Sequence, residues 1–468
     1  VESEPLHELS ADSGLVVRAL ATGAIHSIAS PDVPVTLYKG TVLEGGPTNL
    51  YLRILAGDHV VRWTALLGNP GAAVRFSSDR MTISGAFDQL TYLVTLQLTA
   101  MAGWTWMIQL RNDSDAEIAC DLVYMQDVGM SNVGNEAYIS QYVDHTVLEH
   151  PDHGYVLCAR QNMPQPGGHP WLMLGCRPGC RSFVTDGFDF YGCEHRVTRR
   201  PAALELPVLP SVRRQYEFSA CALQSERVLI GAGRDACLDF FAVFQADHPE
   251  PTSEHDLERV ALEGRYPQRP CVPTEPGSTA VGNLFSEAPL FDSDDLSAEQ
   301  LSTYWNEPRR HVETDGEGRL LSFFTTGNRH VVLKAKELLQ ERPTGALLRS
   351  GTGLVNAPGI LSTTAYMRGV FASHLAVGNL SFNVGLSIRR DPLGVLLAGG
   401  IRVFVERDNA FELLGVPSAF ENSLNGCRWV YCNDADTIEV RTWAAIDSHA
   451  MHVAIRSLRS RRVRIAIG

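Results

Sequence analysis

The densest concentration of chemically capable side chains lies between Gln126 and Asn162. Asn132, Asn135, Glu136, Gln141, Asp144, His145, Glu149, Arg160, Gln161 and Asn162 fall in this one stretch, with Tyr138, Tyr142 and Tyr155 among them. A sugar site needs such a set, because each hydroxyl wants a donor or an acceptor and each pyranose face wants a flat apolar surface. A long, well-hydrogen-bonded loop capping a sheet would use the same residues. The candidate substrate-facing residues are Asn135, Glu136, Tyr138, Gln141, Asp144, His145, Arg160, Gln161 and Asn162.

Paired carboxylates are a second route to glycoside chemistry. Asp127, Glu136, Asp144, Glu149, Asp186 and Asp189 qualify by type. A carboxyl held among aromatics has a raised pKa and can act as an acid, but no spacing here marks a pair. The run Thr185 to Gly192, TDGFDFYG, reads either as a sugar-facing loop or as a strand with a glycine turn at each end. His169, Cys176, Cys180, Cys193 and His195 have zinc-ligand chemistry. The single C-x₃-C pair has no second tight pair to complete it, so buried thiols are the expectation and no metal is assigned. There is no G-x-S-x-G elbow, P-loop or strand-bound G-x-G-x-x-G, which argues against triad hydrolysis and nucleotide chemistry. The arginines Arg456, Arg459, Arg461, Arg462 and Arg464 suit phosphate, a strand face or an interface with a further domain.

The chain that must position these groups has 468 residues, 44% hydrophobic and 20% charged, enough for two or three domains. Its formal net charge of −13 argues against nucleic acid or an anionic membrane as partner, and fits a neutral substrate. The ten cysteines are scattered, the pattern of reduced thiols in a cytoplasmic protein. The acidic N-terminus shows no signal peptide, although the sequence starts at Val1 and an N-terminal piece is expected to be missing.

The fold class read from the pattern is mostly β, antiparallel β-sandwich regions with a few short helices and a long linker. Residues 1–246 form an N-terminal β-sandwich domain. Strands are expected at Leu15 to Leu20, Val33 to Tyr38, Tyr51 to Leu55, Val60 to Leu66, Tyr92 to Leu98, Trp104 to Leu110, Ile118 to Tyr124 and Leu238 to Phe244. Met101-Ala102-Gly103 supplies a turn between two period-two runs. Residues 247–318 read as an acidic, Pro-rich linker, with short helices at Ser253 to Glu263 and Ser297 to Trp305. Residues 319–468 form a second β-rich region. It has a short helix within Val332 to Glu341 and a hairpin turn at Asp408-Asn409. The last residues, RRVRIAIG, read as the middle of a strand, so the sequence is expected to be part of something longer.

Several long runs resemble the N-terminal part of the 1,2-β-oligoglucan phosphorylases, in family 94 of the glycoside hydrolases. They are YMQDVGM at Tyr124, NEAYISQYVDHTVLEH at Asn135, GYVLCARQN at Gly154, VTDGFDFYG at Val184, YEFSACALQSE at Tyr216, NRHVVLKAKELLQERPTGALLRSG at Asn328 and NAFELLGVPSAFENSLNGCRWVY at Asn409. The resemblance implies supersandwich-like β regions followed by a helical (α/α)₆ barrel. It also implies inverting phosphorolysis of β-1,2-glucooligosaccharides, with inorganic phosphate as co-substrate and release of α-glucose 1-phosphate. No metal or organic cofactor is implied, and members are commonly cytoplasmic homodimers. The general-acid Asp of such enzymes belongs to the barrel. Nothing in this chain reads as a barrel, so no catalytic residue is carried over. The alternative is a stand-alone carbohydrate-binding or scaffold protein.

Overall fold

Two alternating runs meet at Met101 and give the clearest element of the structure. Leu90–Thr99 pairs antiparallel with Gly103–Asn112, and Ala102, with a φ of 54°, turns the chain between them. The register sets Tyr92, Val94, Leu96 and Leu98 opposite Leu110, Ile108, Trp106 and Trp104. Cross-strand partners share a face, and all eight are buried in one core. Each large side chain so buried contributes roughly 1.5–3 kcal/mol relative to exposure.

A computed structural model describes residues 6–132, 140–215, 218–260, 278–279, 281–351, 360–368, 375–377, 381–383, 401–459 and 462–468. The chain divides into two compact units, Val1–Gly192 with Pro201–Asn283, and Cys193–Arg200 with Leu284–Gly468.

Among the described residues the first unit is built on a 15-stranded sheet, with a 3-stranded sheet of His7–Ser10, Val16–Ala19 and Ile25–Ala29. In the large sheet Gly103–Asn112 is followed by Asp235–Gln245, Trp171–Arg177, Gly154–Gln161, Cys180–Asp186, Ser219–Ser225, Ile118–Asp127, Asn49–Ala56 and His59–Ala65. One face carries the main core. The other carries a smaller cluster of Leu148, Val156, Cys158, Trp171, Met173, Phe241, Val243 and Val260.

Among the described residues the second unit has a 7-stranded antiparallel sheet of Arg310–Thr314, Leu320–Phe324, His330–Leu333, Ala419–Asn422, Gly426–Cys432, Thr437–Ala444 and Met451–Ser457. One face packs Val332, Phe420, Trp429, Tyr431, Ile438 and Val440 against Val403, Val405, Leu348 and Ala365. The other packs Val331, Leu333, Ala419 and Val430 against Leu301 and Trp305. Asp408 and Asn409, with φ of 50° and 63°, form the expected two-residue turn between Val403–Arg407 and Ala410–Leu413. The segment Cys193–Arg200 is fixed in this unit by its arginines. Arg196 donates to the carbonyls of Glu337 and Gln340, each at 2.8 Å, and Arg199 to that of Ala288 at 3.0 Å.

Several expectations change. Val33 to Tyr38 is not a ladder strand, because the N–H groups of Leu37 and Tyr38 are both taken by Asp127 Oδ2, at 2.8 and 2.7 Å. The helix expected from Ser253 is a 3₁₀ turn, Glu254–Arg259, and residues 261–263 lie outside the described residues. The helix Ala298–Tyr304 forms as expected, capped by Ser297, with Gln300 reaching back to the cap N–H at 2.8 Å. Val332 belongs to a strand, and the helix after it is Lys334–Leu339. Within 247–318, Phe285, Phe291, Leu301 and Trp305 are buried. The acidic residues between them obscure an irregularly spaced apolar set that belongs to the second unit. Thr185 to Gly192 is neither a loop nor a strand throughout. Its strand ends at Asp186, whose side chain accepts from Phe188 N at 2.7 Å and caps the helix Gly187–Tyr191.

Candidate functional site

The stretch from Val143 to Gln161 is a hairpin. Val143–His150 pairs with Gly154–Gln161 in an unbroken register, with Asp144 opposite Arg160 and Val143 opposite Gln161. Alternation therefore divides the candidate residues. Asp144 and Arg160 point to the face that carries Leu148, Val156, Cys158 and Trp171. His145 and Gln161 point to the opposite face, with Val143, Leu157 and Ala159. These four do not converge on one cleft. Gln141 and Asn162 lie exposed near the open end of the hairpin. Asn135, Glu136 and Tyr138 lie outside the described residues.

Each described member has a defined partner set. Gln215 straps the hairpin edge: its Nε2 donates to Asp144 Oδ1 at 2.6 Å, and its Oε1 accepts from His145 N at 2.9 Å. His145 is buried, with Nε2 3.1 Å from Ser219 Oγ. Burial pushes its imidazole down to about 4, against an opposing bond from Gln215 and with a smaller push from Arg213, so the ring is neutral at pH 7. Arg160 donates from Nε to the His248 carbonyl at 2.9 Å, from Nη2 to that of Pro249 at 2.8 Å, and from Nη1 to Asn162 Oδ1 at 2.6 Å. Gln161 Oε1 accepts from Met163 N at 2.9 Å and shapes the following turn.

Arg160 leads to a group that the sequence did not mark. His248 stacks on Trp171 at 4.9 Å and 11°. Its Nδ1 lies 2.7 Å from the Glu250 carbonyl and its Nε2 2.9 Å from Asp256 Oδ1. Asp256 also accepts from Ser253 N at 2.9 Å and from Arg259 Nε at 3.2 Å. Burial raises its carboxyl, but the bonds from His248, Ser253 and Arg259 outweigh this and hold it below the ordinary range. The local signal was a His and an Asp eight residues apart in a Pro-rich run, which reads as linker.

The other candidate carboxylates are separately engaged. Asp127 is buried and accepts from Leu37 N, Tyr38 N and Thr48 Oγ1, while burial lifts its carboxyl above the ordinary range. Asp186 is a helix cap, and Asp189 pairs with Arg214 at 2.6 Å. Glu149 is exposed on the hairpin. Among the described residues no group of three or more His, Cys, Asp or Glu is placed to hold a metal, and the cysteines are free thiols, most of them buried. No helix among the described residues is long and apolar enough to cross a membrane. The described part of the candidate set thus acts as a clamp. It secures Gln215 and residues 248–249 to the central sheet, and links His145 to Ser219.

Comparison with known proteins matches both β-rich regions. Residues 18–242 match the SOGP N-terminal domain, and residues 307–468 match the glycoside phosphorylase supersandwich domain. A 1,2-beta-oligoglucan phosphorylase from Listeria innocua is 32% identical over 422 residues, covering 89% of this chain and 37% of that protein. The chain thus spans little more than a third of the length of this curated relative. Among solved structures, a polysaccharide lyase is similar with a TM-score of 0.35 and 9% identity, over 96% of this chain and 47% of its own. A GalM/aldose epimerase homologue from C. elegans gives a TM-score of 0.31 and 9% identity, over 52% of this chain and 99% of its own. The chain thus carries an SOGP N-terminal domain and a glycoside phosphorylase supersandwich domain, and over most of its length it is similar to part of a 1,2-beta-oligoglucan phosphorylase.

Proposed function

We propose that this chain is the non-catalytic β-sandwich part of an inverting glycoside phosphorylase that acts on β-1,2-glucooligosaccharides with inorganic phosphate and releases α-glucose 1-phosphate. The observation that carries this reading is the coverage: the identity extends over 89% of this chain but only 37% of the phosphorylase. A helical barrel, in the same or a companion polypeptide, supplies the general acid and the phosphate site. The working enzyme is a cytoplasmic homodimer with no metal or organic cofactor. Any contact of the hairpin with glucan is made at its open end, where Gln141 and Asn162 are exposed. Asp144, His145, Arg160 and Gln161 hold that end in shape.

The test is phosphorolysis. The purified chain is incubated with short β-1,2-glucans and inorganic phosphate, with and without the barrel region of the Listeria innocua relative, and glucose 1-phosphate is measured. The expected result is none from this chain alone, and complex formation with the barrel region. Glucose 1-phosphate from the chain alone would overturn the non-catalytic assignment. A folded chain that neither binds the barrel region nor alters its turnover would overturn the supporting role.

A further inference from the structure

The face of the second unit's sheet that packs in part against Leu301 and Trp305 carries an ordered grid of side chains across its last three strands. The register aligns Gly426, Trp443 and His452 in one row, Arg428, Arg441 and Ala454 in the next, and Val430, Glu439 and Arg456 in the third. Trp443 is 42% exposed and stacks on His452 at 5.1 Å and 14°. Gly426, its neighbour on the other side, has no side chain to cover it. The result is a flat aromatic shelf open to solvent.

The donors beside the shelf are fixed. Glu439 is 1% exposed and pairs with Arg428, with Arg441 Nε at 2.8 Å and with Arg456 Nε at 2.6 Å. Arg441 Nη2 also donates to it at 3.0 Å. Arg428 is further held over Trp305, 5.3 Å from the ring centre. One buried carboxylate thus locks the inner edges of Arg441 and Arg456, whose side chains remain 47% and 58% exposed. Exposed arginines ordinarily lose side-chain freedom when they bind. Here that ordering is already in place.

We propose that this face is a carbohydrate-binding platform for a neutral gluco-oligosaccharide. One sugar ring lies on Trp443 and His452, and hydroxyls further along the strand accept from Arg441 and Arg456. The rows advance by about 6.5 Å each, so the platform is roughly 13 Å long from Trp443 to Glu439. Arg329, Arg428, Arg441 and Arg456 stand against Glu307, Glu421 and Glu439, which leaves a single positive charge in excess. That balance favours a neutral polyol over a polyanion. The choice of glucose oligomers rests on the phosphorylase reading; the platform chemistry does not.

The test is titration calorimetry of the whole chain with β-1,2-glucotetraose, cellotetraose and ATP, together with the oligomeric state by analytical ultracentrifugation. The variants are Trp443→Ala, His452→Ala and, as a control in strand His59–Ala65 of the first unit, Trp63→Ala. Because Trp443 is 42% exposed and lies outside the buried core, its variant should melt within a few degrees of the parent. The expected result is saturable binding of a tetraose that weakens at least tenfold in Trp443→Ala, weakens less in His452→Ala, and is unchanged in Trp63→Ala. Binding of cellotetraose without β-1,2-glucotetraose would leave the platform standing and count against the β-1,2 assignment. Three results would overturn the platform: no saturable tetraose binding by the folded chain, binding of ATP alone, or self-association that Trp443→Ala abolishes without any sugar effect. None of these would decide the phosphorolysis test.

Discussion

Arg53 and Asp121 form a two-pronged ion pair, Nε to Oδ1 at 2.7 Å and Nη2 to Oδ2 at 2.8 Å, with neither side chain reaching solvent. The pair anchors a surface segment. Arg53 Nη1 donates to the Leu206 carbonyl at 2.7 Å, and Gln224 Nε2 bridges Asp121 Oδ2 at 2.7 Å to the Pro207 carbonyl at 3.0 Å. Removing one partner strands the other charge in the interior. Asp121→Ala is expected to cost about 3–5 kcal/mol, read as a lower urea midpoint. The double variant Arg53→Met, Asp121→Leu should be more stable than Asp121→Ala, because no buried charge remains.

Glu439 gives the second unit an acid-sensitive term. Burial raises its carboxyl, but Arg456, Arg428 and Arg441 outweigh that effect and hold it below the ordinary 4.5. A carboxyl depressed in the folded state adds stability that is complete well above its unfolded value and is lost as pH falls through the folded value. Glu439→Gln should therefore melt lower than the parent at pH 7, and the gap should shrink as pH falls below 4.5. Thermal melts across that range would show it.

The ring of His248 is flanked by oxygen acceptors at both nitrogens, the Glu250 carbonyl at 2.7 Å and Asp256 Oδ1 at 2.9 Å. His248→Phe keeps a ring against Trp171 but removes the imidazole's polar contacts with the Glu250 carbonyl and with Asp256, which keeps only Ser253 N and Arg259 Nε. The expected loss is about 1–3 kcal/mol, with faster limited proteolysis between Pro249 and Val260.

Asp408 and Asn409 both adopt left-handed backbone angles, 50° and 63°. A β-branched side chain resists that region by about 1–2 kcal/mol per residue. Asn409→Val should destabilise the chain by that amount, whereas Asn409→Gly should be nearly neutral. Urea unfolding distinguishes the two.

How much of this was readable in advance depended on where each residue's partner lies. The hairpin Leu90–Thr99 with Gly103–Asn112 is visible because its alternation and its turn are local. The hairpin Val143–His150 with Gly154–Gln161 is not. Its strands bury apolar residues on both faces, Leu157 and Ala159 on one and Val156 and Cys158 on the other, so no polar face alternates. Its polar residues looked like a ligand set because their partners are remote: Gln215 from His145 by 70 residues, His248 from Arg160 by 88. Asp127 likewise turns Val33 to Tyr38 away from a strand from 90 residues on. Trp443 sits in the region that the sequence marks as β-rich, but its exposure depends on lying beside Gly426 and His452, which only the register decides.

The placement of Cys193–Arg200 in the second unit has a consequence for the order in which the chain is made. These residues leave the ribosome before anything from Leu284 onward exists. At about 5–20 residues per second they wait for several seconds, while the sequence on either side of them can already fold. During that interval Arg196, buried at the end, remains in water without the carbonyls of Glu337 and Gln340. Completion of the second unit thus comes late in synthesis and draws back a segment made with the first. An expression clone beginning at Leu284 would omit the residues that satisfy those carbonyls.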